Sequence, residues 1–212
     1  MKRLGIAAAV SALIAAAVVL ALLLAARDSP NGDVSGPPAG PYRGSHPPAG
    51  ITAPDFTLHD YRGRTVRMAS LRGRVVLTTF VDSACHEACP IILARLAHGL
   101  RLLDPHTRSQ VTALAITVNP PVDTASDVRR FLRQRGALGR IDYLLGTPRQ
   151  LRPIWKAYGI LPAVDTGNAD VHSADVRVFD RHGEWVSTLH TAVDLTPGNV
   201  AHDIRTALEG GS

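Results

Sequence analysis

RVVLTTFVDSACHEACPIILARLAHGL, residues 74–100, runs a strand into a helix through the chain's two cysteines, Cys85 and Cys89. Residues 74–81 form a short, unbroken, β-branched apolar run, the pattern of a buried strand. From Cys89 onward, Ile92, Leu96, Leu100 and Leu103 recur at helical spacing. Pro90 has no backbone N–H and belongs in a first helical turn, so the helix starts near Glu87. Cys85 is then at the strand end or in the turn, and Cys89 in the first turn of the helix. Four residues apart, the two lie on one face with Cβ atoms about 5–6 Å apart. Spacing alone leaves three readings: a structural disulfide, a redox dithiol, or half of a metal site. A disulfide closing so short a loop adds only about 2 kcal/mol. A helix N-terminus, by contrast, favours thiolates, which suits chemistry better than stapling.

Working outward, PDFTLHDYRGRTVRM (54–68) alternates around an Arg62-Gly63 turn and predicts a hairpin. QVTALAITV (110–118) predicts a second buried strand. Thr124 is a candidate N-cap for a helix with Val128, Phe131 and Leu132 inward and Gly136 as its stop. IDYLLG (141–146) predicts a third, short strand. Thr147-Pro148 opens a helix whose Leu151, Ile154, Trp155 and Tyr158 share a face; Pro153 inside it predicts a kink or a late start. DVRVFD and EWVSTLH form a hairpin around His182-Gly183, and Thr196-Pro197 opens a last helix ending at Gly210. Strands alternating with helices mean an α/β domain with a largely parallel centre. This order is that of a thioredoxin-like fold with an N-terminal hairpin and insertions.

Ahead of that domain, Lys2 and Arg3 precede a charge-free apolar run from Leu4 to Ala26, long enough to span a bilayer. Residues 1–26 read as an N-terminal transmembrane anchor, with a cleaved signal as the alternative. The basic pair stays inside, which puts residues 27–212 on the extracytoplasmic side of the cell membrane. Residues 27–52, crowded with Pro and Gly, read as a linker, and 53–212 as one domain. Formal net charge is +5, carried by scattered arginines with no basic stripe interleaved with aromatics, which excludes nucleic acid as a partner.

Two thiolates are soft ligands suited to Cu(I), Zn or iron–sulfur, and they need a third donor. Of the nine histidines, His46, His98, His106, His182 and His202 fall in the linker, on polar helix faces, in a loop or in a turn. His86 stands between the cysteines. His172 directly precedes the strand ADVRVFD, and in a thioredoxin-like sheet the loop there faces the N-terminus of the cysteine helix. His172 is therefore the candidate third ligand.

The chain resembles the Sco/SenC family of exported copper-binding proteins that assist cytochrome c oxidase assembly. The resemblance rests on PDFTLHDYRGRTVRMASLRGRVVLTTF, on CxxxCP at Cys85, Cys89 and Pro90, on TVNPPVDT, on WKAYGI and on HSADVRVFDRHGEW. It implies a thioredoxin-like fold holding one copper, as Cu(I), Cu(II) or both, through Cys85, Cys89 and His172. The implied role is a metallochaperone's: delivery of copper to the copper-receiving subunit of the oxidase. The alternative is a thiol–disulfide oxidoreductase that keeps that subunit's cysteines reduced. A second extracytoplasmic copper chaperone is an implied partner. Three positions depart from the family's pattern: His86 where proline is frequent, Asp82 where an aromatic is, and Asn119 where aspartate precedes the proline.

Overall fold

The computed structural model describes residues 40–162, Asp165 and 175–210. Seven strands form one sheet: β1 (Thr57–Asp60), β2 (Thr65–Arg67), β3 (Val75–Val81), β4 (Val111–Thr117), β5 (Asp142–Leu145), β6 (Asp175–Phe179) and β7 (Trp185–His190). Their order is β2-β1-β5-β4-β3-β6-β7. The β5-β4-β3 centre is parallel and both flanks are antiparallel, the thioredoxin-like arrangement with its added hairpin. Gly63 and Gly183 turn the two hairpins at φ of 83° and 81°, in the left-handed region that glycine enters without a Cβ penalty.

A short 3-10 helix (Met68–Leu71) follows β2, and the α-helices are α1 (Ala88–Arg101), α2 (Pro105–Ser109), α3 (Ala125–Gln134), α4 (Pro148–Ala157) and α5 (Pro197–Glu209). β3 is buried at every position because both sheet faces are covered. Val75 and Leu77 pack with α1, α3 and α5 on one face; Val76 and Phe80 pack with Leu151, Ile154 and Trp155 of α4 on the other. Thr124, Thr147 and Thr196 cap their helices by accepting the N–H three residues on, as the sequence predicts. The late start expected from Pro153 does not occur. A capping box between Thr147 and Gln150 fixes the start of α4, and Pro153, inside the helix, leaves the Arg149 carbonyl without its helical donor. His106, expected in a loop, lies in the short helix α2.

Residues 40–52, read from composition as linker, lie instead along β7. Ser45 pairs with Thr188 and Thr52 with Glu184, and the Trp185 N–H donates to the Ile51 carbonyl. The anchor of this strap is Asp203 of α5, fully buried. Its carboxylate accepts the Arg43 N–H (2.7 Å), the Gly44 N–H (3.1 Å) and the Ser187 hydroxyl (2.6 Å). A Cβ at Gly44 would stand 2.3 Å from Ser187 Oγ and 2.5 Å from the Thr188 carbonyl oxygen, so only glycine fits. Composition identifies a segment unable to make its own core; it carries no sign of a carboxylate more than 150 residues away that satisfies its backbone. Pairing along β7 also covers what would otherwise be an open sheet edge.

Asp203→Ala strands those donors in a buried place, and each buried polar group without a partner costs about 1–3 kcal/mol. The expected loss is about 3 kcal/mol by denaturant unfolding, with new proteolytic cleavage within residues 40–52. A loss under about 1 kcal/mol would mean that the strap is held by its β7 pairing alone.

The anchor read at residues 1–26 lies outside the described residues. Among the described residues no helix is long and apolar enough to cross a membrane.

Candidate metal centre

The site lies where β3 and β4 end level. Val81 pairs with Thr117 in the parallel register, so the turn after β3 and the loop after β4 emerge side by side. Glu87 takes the N-cap position of α1, which puts Cys85 in the turn and Cys89 in the first helical turn, as the sequence predicts. The Cys89 N–H donates to Cys85 Sγ at 3.4 Å and the two side chains are hydrogen-bonded, so the sulfurs lie side by side at the helix start. Cys89 is fully buried and Cys85 is 2% exposed. Burial, aided by the hydrogen bond with Cys85, pushes the Cys89 thiol far above its usual range. Of the two cysteines, Cys85 is the one that lines an open groove of about 410 Å³ beside α3, together with His86.

Two carboxylates hold the cysteine turn from below. Asp82, fully buried, accepts the Ala84 N–H at 2.7 Å and the Asn119 side-chain amide at 2.7 Å, and its backbone carbonyl accepts the Cys85 N–H at 3.2 Å. Asp123 accepts the Ser83 N–H (2.9 Å), the Thr117 hydroxyl (2.5 Å) and the Tyr143 hydroxyl (2.6 Å). Burial pushes the Asp123 carboxyl up against the pull of those donors. Burial and the facing Asp123 carboxylate push the Tyr143 phenol well above its ordinary range, so it remains a donor. Tyr143 also reaches the Val81 carbonyl at 3.2 Å, tying β5 to the last residue of β3. Two of the three departures from the family pattern, Asp82 and Asn119, thus bond to each other across the two loops. Sequence reading singled out both and missed their pairing. It missed Asp123 and Tyr143 as supports altogether, although Asp123 sits in the TVNPPVDT stretch.

Cys85 and Cys89 are therefore brought together, and the donor pair is soft and suited to copper. His172 lies outside the described residues, and among the described residues no group of three His, Cys, Asp or Glu side chains converges to hold a metal. His46, His98, His106 and His182 are exposed and His202 half-buried; none of them reaches the cysteines as a third ligand.

A family model described as SCO1/SenC matches residues 45–209. Among curated proteins, the chain is 31% identical over 113 residues to the "Protein SCO2 homolog, mitochondrial" of Bos taurus, covering 53% of this chain and 42% of that protein. It is 29% identical to a "Putative copper-binding protein" of Stutzerimonas stutzeri, covering 61% of this chain and 65% of that one. The matches thus span about two fifths to two thirds of these relatives' own length. Among solved structures, Bradyrhizobium japonicum ScoI with copper bound superposes with a TM-score of 0.63 at 26% identity, covering 74% of this chain and all of that one. The apo Sco1 protein of Thermus thermophilus gives 0.65 at 20%, covering 79% of this chain and 97% of that one, a likeness of fold.

Proposed function

The chain belongs to the SCO1/SenC family, and on that premise we propose that it is an exported, membrane-tethered copper carrier that serves assembly of the copper centre of cytochrome c oxidase. Copper is its cargo, held by Cys85, Cys89 and His172. The observation that carries this reading is the pair of buried, hydrogen-bonded cysteine side chains at the start of α1, in a chain similar to a copper-bound ScoI. Residues 1–26 serve as the tether, and the domain works outside the cytoplasm, where it meets the copper-receiving oxidase subunit.

The residues divide the work. Cys85, in the turn after β3, and Cys89, in the first turn of α1, supply two soft thiolates, and the His172 imidazole completes a three-coordinate set suited to Cu(I). Asp82 and Asp123 hold the backbone of the turn that carries Cys85 by accepting the Ala84 and Ser83 N–H groups. Cys85 borders open space and is the sulfur that an incoming ligand from the receiving protein meets; Cys89 stays behind it.

Copper titration of the full-length chain tests the reading. The expected result is one copper per chain, with a strong thiolate-to-metal charge-transfer band for Cu(II). Affinity is expected to fall as pH drops, because both thiols must shed protons to bind. A chain that takes up no copper at neutral pH would overturn the proposal.

A second reading, reduction of partner cysteines, is favoured by the same proximity of Cys85 and Cys89, which suits thiol–disulfide exchange as well as metal binding. A structural neighbour is described by a disulfide switch in BsSco (TM-score 0.64, 19% identity). His172 has no part in that chemistry, which makes it the residue that separates the two readings.

A further inference from the structure

Three adjoining grooves run from the cysteine turn along α3. The first, of about 410 Å³, has Cys85 and His86 on one wall and Val122, Phe131 and Arg135 opposite. It shares Arg130 with a second of about 450 Å³, which shares Arg129 and Arg133 with a third that reaches Arg62. The charged residues lining them are five arginines and one acid, Asp127. Arg62 is tied to Asp60 and Asp142, and Arg130 to Asp127. Among the described residues, Arg129, Arg133 and Arg135 have no carboxylate partner.

Arg135 is the most informative of these. Its guanidinium lies 5.7 Å from the centre of the Phe131 ring, and its Nε is buried with no hydrogen-bond partner. Stacking on an aromatic ring fixes the planar donor fork, which lowers the entropy lost when it meets a carboxylate. The Arg135 cation is therefore held in one orientation in the wall of the groove that Cys85 lines.

We propose that this face docks the protein that exchanges copper with Cys85, and that the docking surface of that protein is acidic, with one carboxylate seated on Arg135. The proposal deepens the copper-delivery reading and rests on it. Cys85 must come within bonding distance of the other protein's ligands, so that protein approaches from the groove side. Arg129 and Arg133, exposed on the outer face of α3, steer it there. A lipid surface is the poorer occupant. The first groove is concave, and its lining offers one large exposed apolar side chain, Val122, for insertion.

The test uses the full-length chain in detergent, loaded with Cu(I). The probe is the soluble copper-receiving domain of the same cell's oxidase, reduced, metal-free and fluorescently labelled. Association and dissociation are followed by stopped flow at about 20 mM and about 300 mM salt. The Arg129→Gln/Arg133→Gln variant is expected to associate about tenfold more slowly at low salt, with a flatter salt dependence. Arg135→Gln is expected to leave association near wild type and to dissociate about tenfold faster. Both variants are expected to bind one copper with the wild-type spectrum, which excludes misfolding as the cause. Wild-type rates in both variants, or no complex with the wild-type chain, would overturn the proposal. So would a loss confined to binding of phosphatidylglycerol vesicles. If the complex forms with this charge dependence and no copper crosses, the docking face stands and the delivery reading falls. If copper crosses at the wild-type rate in both variants, the delivery reading stands and the docking face falls.

Discussion

Copper uptake by the full-length chain is expected to fall from one equivalent to none when either Cys85 or Cys89 is replaced by alanine. The two sulfurs supply both soft donors of the proposed site, and a lone thiolate with one imidazole leaves Cu(I) without the ligand that makes binding tight. The fold should survive each change. Cys89 is buried among Ile92, Leu93 and the other side chains of the core under α1, so the lost sulfur leaves a small void. Cys85→Ala removes the acceptor of the Cys89 N–H. Either loss is of the ordinary size for a point substitution, about 1 kcal/mol. Circular dichroism and the denaturant midpoint check the fold, and metal analysis after desalting reads the stoichiometry. A full equivalent of copper with an unchanged charge-transfer band in either variant would remove that cysteine from the site.

His172→Ala is expected to produce the second large effect, and it divides the two functions that share Cys85 and Cys89. Exchange between thiols and disulfides needs an accessible thiolate and a resolving thiol, with no role for an imidazole that ligates metal. The variant should therefore still oxidise and reduce its cysteine pair. Its copper affinity should drop by more than the roughly 10–100-fold that follows loss of a mere outer partner of a metal ligand. Cells carrying it are expected to assemble oxidase poorly at limiting copper and to be partly rescued by added copper. Normal oxidase in His172→Ala cells at limiting copper, alongside failure in Cys85→Ala cells, would replace delivery with the reductase reading.

Between them these substitutions probe residues that carry their own local signals. Pro90 places the start of α1 because a residue without an N–H fits only a first turn, and the cysteine spacing then puts both sulfurs on one face. Thr124, Thr147 and Thr196 mark three helix starts, and Gly63 and Gly183 two hairpin turns, through hydrogen bonds and dihedral angles that span only a few residues. The β-branched runs at 75–81 and 111–117 read as buried strands because both faces of the central sheet are covered. Such signals are complete within a short window, so the sequence alone determines the element order, the thioredoxin-like class and the cysteine pair.

The supports of the site belong to the tertiary structure. Asp82 meets Asn119, and Asp123 gathers Ser83, Thr117 and Tyr143, only because β3 and β4 end level and β5 lies next to β4. A shift of strand register would separate Asp82 from Asn119 and Asp123 from Ser83 and Tyr143, and no local pattern states the register. The same holds for residues 40–52: their Pro and Gly content describes a chain that cannot form a core by itself, while their place is decided by Asp203 and the open side of β7. Arg135 meets Phe131 by simple i, i+4 helical spacing; what the fold adds is their place in the wall of the groove that Cys85 lines. Backbone propensity and apolar periodicity act over a few residues, whereas a buried polar group must find its partner wherever the packed chain brings one, and that placement exists only once the sheet has closed.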